Sequence, residues 1–129
     1  MELKINNKKK IFIRPTTLKK NGGGHFTRSL NLAEIFNKNH DVTLIVDELS
    51  LLQKKKLKST NIKIKEIKDI FNRNYVFDIC ILDGYTFSDS EISFWKEYSN
   101  FIVSFDDLCH DYRFADLLIS FGNKKKTSN

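Results

Sequence analysis

Gly22-Gly23-Gly24 is followed at once by His25, and that pairing is where chemistry is most readily placed in this chain. A glycine run lets the backbone turn sharply and come close to a ligand. Where a helix starts behind it, free N–H groups and the positive end of the dipole receive an anion or a polarised oxygen. Imidazole is a side chain able to serve as a general base near neutral pH. The run is not a dinucleotide fingerprint, because GxGxxG begun at Gly22 requires glycine where Thr27 stands.

Five further groups could line the same site, and all but Arg14 have a plainer alternative. Asp83 and Tyr85 flank Gly84; the carboxylate could equally close an Asx-turn, and the phenol could pack on a helix. Asp106-Asp107 could simply end a strand. Adjacent carboxylates on an extended backbone point to opposite sides, so they make a poor glycosidase pair. Arg14 precedes the glycine run and Arg28 follows it; the second could be a surface ion-pair partner. His40 and His110 read as surface histidines, and Trp95 as a core or interdomain contact. Cys80 lies in an apolar run and reads as a small buried hydrophobe. Cys80 and Cys109 have no CxxC spacing, and nothing suggests a disulfide framework, a metal site or a cofactor.

These residues must be carried by alternating strands and helices. Ile11-Phe12-Ile13 reads as a strand that Arg14-Pro15 closes. From His25 the period turns helical, with Leu30, Leu32, Ala33, Ile35 and Phe36 forming a stripe that Asn37-Lys38-Asn39 ends. Val42–Val46 is apolar on both faces, as in the interior of a parallel sheet. A helix follows over Glu48–Lys58, then Ile62–Ile67 alternates like a strand with one wet face near an edge. Asp78–Asp83 is an apolar strand. Ser88–Tyr98 is a helix with Ser88 or Asp89 as N-cap and Glu91 in its first turn. Phe101–Phe105 and part of Ala115–Phe121 complete the strands. The pattern predicts an α/β fold with a Rossmann-like, doubly wound, mainly parallel sheet over residues 1–123, and a polar tail over 124–129. Ligands in such sheets bind beyond the carboxyl ends of the strands, where Gly22–Gly24, Asp83–Tyr85 and Asp106-Asp107 fall.

The 129 residues are enough for one domain, and 40% are hydrophobic. A net charge of +6 comes with the runs Lys8–Lys10, Lys54–Lys56 and Lys124–Lys126. Such runs suit a polyanion or an anionic membrane surface. The excess is spread along the chain and is not interleaved with aromatics, which argues for solvated loops and against a nucleic-acid partner. The apolar stretches are far shorter than the ~20 residues of a spanning helix, and the first residues lack a signal-peptide core. The expectation is a cytoplasmic protein with no transmembrane segment.

Arg14 through Gly22-Gly23-Gly24-His25-Phe26-Thr27-Arg28-Ser29-Leu30-Asn31-Leu32-Ala33 resembles a known signature, Arg…Gly-x-Gly-His-x-x-Arg-x-Leu-x-Leu-Ala. It belongs to the UDP-2,4-diacetamido-2,4,6-trideoxy-β-L-altropyranose hydrolase family of pseudaminic acid biosynthesis. Ile81-Leu82-Asp83-Gly84-Tyr85, and Phe105-Asp106-Asp107 followed by Ala115–Ile119, fit the N-terminal domain of that family in order and spacing. Related glycine-rich loops with histidine occur in the glycosyltransferase that makes lipid II. The resemblance implies the N-terminal half of a two-domain GT-B fold, and metal-free hydrolysis of the bond between the anomeric carbon and UDP. His25 matches the catalytic histidine that helps activate water, Tyr85 matches a tyrosine near the pocket with Asp83 beside it, and Arg14 and Arg28 take loop-supporting and site-shaping positions. The resemblance covers the first domain alone, and the family's second, nucleotide-gripping domain is expected to be absent from these residues. A separate second domain or a homo-oligomer is therefore expected as partner, and the isolated chain is expected to be a poor enzyme. Two other readings stay open: the acceptor-side half of a glycosyltransferase, with a loop over Phe71–Phe77 facing the membrane, and a non-catalytic sugar-binding or interaction domain.

Overall fold

A computed structural model describes residues 8–16, 24–71, 76–84, 87–106 and 114–120. Gly22, Gly23, Tyr85, Asp107, Cys109, His110 and the lysines at 124–126 lie outside them. In chain order the elements are β1 (Lys10–Pro15), α1 (Gly24–Phe36), β2 (Asp41–Val46), α2 (Leu51–Lys58), β3 (Lys63–Glu66), α3 (Ile67–Ile70), β4 (Phe77–Asp83), α4 (Asp89–Tyr98), β5 (Ser99–Asp106) and β6 (Leu117–Ser120). The six strands form one sheet in the order β3-β2-β1-β4-β5-β6, and every pairing is parallel. This is the Rossmann-like α/β arrangement expected, and its winding reverses between β1 and β4.

Alternation along each strand divides the core in two. Ile11, Ile13, Val42, Leu44, Val46, Ile81, Val103 and Phe105 pack on the side of α1, meeting its Phe26, Leu30 and Ala33. Phe12, Ile45, Cys80, Leu82 and Ile102 face the other side, with Ile70, Phe77 and Trp95. Trp95 is a core residue in edge contact with Phe12, and Phe12 stacks on Phe77 with ring centroids 4.1 Å apart. Phe77, placed in a membrane-facing loop over Phe71–Phe77 by the glycosyltransferase reading, is part of this core.

Several element boundaries differ from the sequence expectation for local reasons. β1 runs through Pro15, which lies in register with Asp83, and the ladder resumes when Thr16 N–H donates to the Asp83 carbonyl at 3.1 Å. Proline is tolerated at this last position because the next amide carries the hydrogen bond. α2 starts at Leu51 and not at Glu48, because Ser50 and Gln53 form a capping box of 3.2 and 2.9 Å bonds. β3 is at the sheet edge, but all four of its residues are exposed. The neighbouring α2 has no fully buried residue with which to cover Ile64. α3, a single turn, was not visible in the periodicity. At Ser99 the chain passes from α4 directly into β5. No described helix is long and apolar enough to cross a membrane.

Candidate active site

α1 leaves the carboxyl end of β1, and β1 pairs with β4, so the start of α1 overhangs the end of β4 at the point where the winding reverses. His25, Arg28 and Ser29 are spaced i, i+3 and i+4, which puts them on one helix face. That face meets Asp83, the last residue of β4. The Asp83 carboxylate is fully buried and is surrounded by donors. His25 Nδ1 is 3.0 Å from Oδ1, Arg28 Nε donates to Oδ2 at 3.0 Å, and Ser29 Oγ donates to Oδ2 at 3.0 Å. A second guanidinium nitrogen of Arg28 also donates to Oδ1.

Burial alone would push the Asp83 carboxyl up. The hydrogen bonds from His25 and Arg28, with the guanidinium charge, outweigh it and hold the group below the usual carboxylate range. An ionised carboxylate accepts and cannot donate. Nδ1 of His25 is therefore the N–H donor, and in the neutral ring the lone pair lies on Nε2. With its oxygens occupied by α1, Asp83 is poorly placed to act as a nucleophile or base. What the cluster can do is hold one imidazole in one tautomer and orientation, as a carboxylate does in hydrolytic triads.

Arg14 is equally buried but turns elsewhere. Its Nε donates to Glu91 at 2.6 Å, its terminal nitrogens reach Asp47 at 2.8 and 3.1 Å, and one donates to the Pro15 carbonyl at 2.8 Å. Glu91 also accepts from Trp95 Nε1 at 2.9 Å. Burial opposes the Arg14 charge, but the hydrogen bonds it donates to Asp47 and Glu91, with the charges of those carboxylates, raise its pKa. This network ties the ends of β1 and β2 to α4 and lies within the structure that supports the strand ends.

Gly84 is a true close approach: a Cβ there would stand 2.6 Å from Thr16 Cγ2 and 2.9 Å from Phe87 Cζ. Thr16, also buried, has an Oγ1 with no hydrogen-bond partner among the described residues. The Arg28 guanidinium lies 4.3 Å from the centre of the Phe105 ring, so its fork is set by both stacking and pairing.

The structure therefore gathers His25, Arg28 and Asp83 at one point, with Gly24 opening α1 one residue before His25. It sets Arg14 on a separate carboxylate pair, and the Asp106 backbone ends β5 two strands from β1. Ser29, Asp47, Glu91 and Thr16 were not singled out in the sequence. Ser29 could have been found from its i+4 spacing to His25, and Glu91 was noticed only as a first-turn acid. His40 takes part in a local contact, its Nδ1 accepting from Lys9 N–H at 3.0 Å. Burial pushes the Cys80 thiol well up, which suits a core residue and not a nucleophile. Among the described residues no cluster of three His, Cys, Asp or Glu could hold a metal ion. Comparison with protein-family models, with curated proteins and with solved structures finds no match to this chain.

Proposed function

We propose that this domain hydrolyses a nucleotide sugar, with His25 as general base and UDP linked to a 2,4-diacetamido-2,4,6-trideoxyhexose as the substrate. The observation that carries the reading is the buried Asp83 carboxylate on His25 Nδ1, which leaves Nε2 as the basic nitrogen. Nε2 takes a proton from water as the water oxygen forms a bond to the anomeric carbon. The bond from that carbon to the diphosphate oxygen breaks, and its electron pair leaves with UDP. The sugar keeps the new hydroxyl, and the imidazolium returns its proton to solvent. Arg28 and Ser29 act through Asp83 as positioning residues. Arg14 acts further out, through the strand ends it ties together.

The resemblance of the Arg14–Ala33 stretch to the hydrolase signature supports the choice of substrate, and so does the position of the site at the carboxyl ends of parallel strands. Both signature arginines are engaged by internal carboxylates, so the charge of a diphosphate falls to groups other than these two. A second nucleotide-binding domain, or a second copy of the chain, fills that role in this reading. Turnover of the UDP-sugar in ¹⁸O-labelled water tests it. The label is expected on the anomeric hydroxyl of the sugar; label on the UDP phosphate, or in neither product because no UDP is released with or without a supplied second domain, would count against the reading.

A further inference from the structure

α2 carries a surface that the proposed hydrolysis does not use. With about 3.6 residues per turn, Gln53 and Leu57 lie on its inner side, and both are half-buried. The outer side begins with two leucines, Leu51 at 83% and Leu52 at 64% exposure. It continues with Lys54, Lys55, Lys56 and Lys58, all exposed. The helix has no acidic residue. Among the described residues no carboxylate pairs with these four lysines, and Lys56 Nζ instead reaches Thr27 Oγ1 on α1 at 3.4 Å. Adjacent exposed leucines lose hydration free energy for no internal gain, and a ring of cations around them selects the kind of surface that could cover them.

We propose that α2 is a docking face for an anionic lipid bilayer, with Leu51 and Leu52 entering the interfacial layer and Lys54, Lys55, Lys56 and Lys58 meeting the headgroups. The leucines can be buried in the headgroup layer while the lysines on the same side extend their stems to the anionic headgroups, so apolar burial and charge act together. A nucleic acid fits less well, because leucine neither stacks on bases nor pairs with phosphate. A symmetric second copy fits poorly too, since a two-fold contact through this face would set four lysines against four. Through Lys56 and Thr27 the face adjoins the first turn of α1, so docking would place the His25 end of the domain beside the bilayer. The proposal uses none of the residues assigned to hydrolysis, so either can fail alone.

Sedimentation of the full chain with vesicles of phosphatidylcholine, alone or mixed with phosphatidylglycerol, tests it. Two variants are needed, Leu51→Gln/Leu52→Gln and Lys54→Gln/Lys55→Gln/Lys58→Gln. All five positions are exposed, and glutamine keeps helix propensity close to that of leucine and lysine. Wild type is expected to bind the mixed vesicles, to ignore the neutral ones and to weaken with salt. Each lysine near an anionic surface is worth about fivefold, so the triple change should weaken binding on the order of a hundredfold. The leucine pair should cost about tenfold or more. Absence of wild-type binding would overturn the proposal, as would binding that the leucine variant leaves unchanged. Lysine-dependent binding to duplex DNA as tight as to vesicles would show a general polyanion surface instead. Self-association lost in the leucine variant, without vesicle binding, would show a second copy.

Discussion

Replacing Asp83 by asparagine removes one charge from the site with almost no change of shape. Arg28 contacts both carboxylate oxygens, His25 one and Ser29 the other. Ser29 can rotate to accept from the new amide, and His25 can change tautomer. Arg28 can do neither, because a guanidinium only donates. Whichever way the amide is turned, one guanidinium N–H faces an amide N–H, and the arginine charge loses its partner. Removing one member of a buried pair costs about 3–5 kcal/mol. The Arg28 side chain is 30% exposed, so water recovers part of that loss, and about 2–3 kcal/mol remains. For a chain of this size that is roughly a 4 °C fall in Tm per kcal/mol, or about 8–12 °C in all. Turnover should fall by about a hundred- to ten-thousand-fold, because the tautomer with the lone pair on Nε2 is no longer enforced. Urea denaturation and UDP release read the two effects separately. A stability change under about 0.5 kcal/mol, the level of an ordinary surface substitution, would refute the claim that Asp83 anchors the cluster. Normal turnover by the variant would refute its role in positioning His25.

The other predictions rest on the same geometry. Gly84→Ala should cost about 1–3 kcal/mol by overpacking, because the added methyl would stand 2.6 Å from Thr16 Cγ2; adding Thr16→Ser, which removes that atom, should restore part of the loss in urea denaturation. Arg14→Met should destabilise by about 3 kcal/mol, since Asp47 and Glu91 would lose the cation that lies between their carboxylates. Arg14→Lys should rescue it incompletely, lacking the fork that reaches both carboxylates. The Asp83 carboxyl is held below its ordinary range, so its contribution is complete above about pH 4 to 5 and is lost as pH falls through the lower folded value. Wild type and Asp83→Asn should therefore differ most in stability at pH 6, and the difference should shrink steadily as pH falls below about 4; a difference that stays constant down to acid unfolding would contradict that assignment.

The parallel α/β class could be anticipated because the signals were strong and local. The apolar run Val42–Val46 and the strand ending at Asp83 announce interior parallel strands, and the glycines before His25 mark where the first helix leaves the sheet. That His25 and Asp83 fall at adjacent strand ends follows from winding alone. Their pairing does not, since it depends on how far α1 overhangs the end of β4. Arg14 shows the limit more sharply. Its type and place suit an anion site, but its partners are 33 and 77 residues away in sequence, and no periodicity links them. The exposure of β3 was hidden for a similar reason. Ile64 alternates correctly for a half-buried strand, but burial requires a covering helix, and α2 offers no fully buried residue.

The most direct test of the account is the rate of UDP release from the UDP-linked diacetamido-trideoxy sugar by wild type and by His25→Ala, with a nucleotide-binding second domain supplied separately to both. The account predicts release by wild type and a loss of at least about a hundredfold in the variant, with the variant still folded by circular dichroism. Equal release by the two proteins would contradict the assignment of His25 as the base.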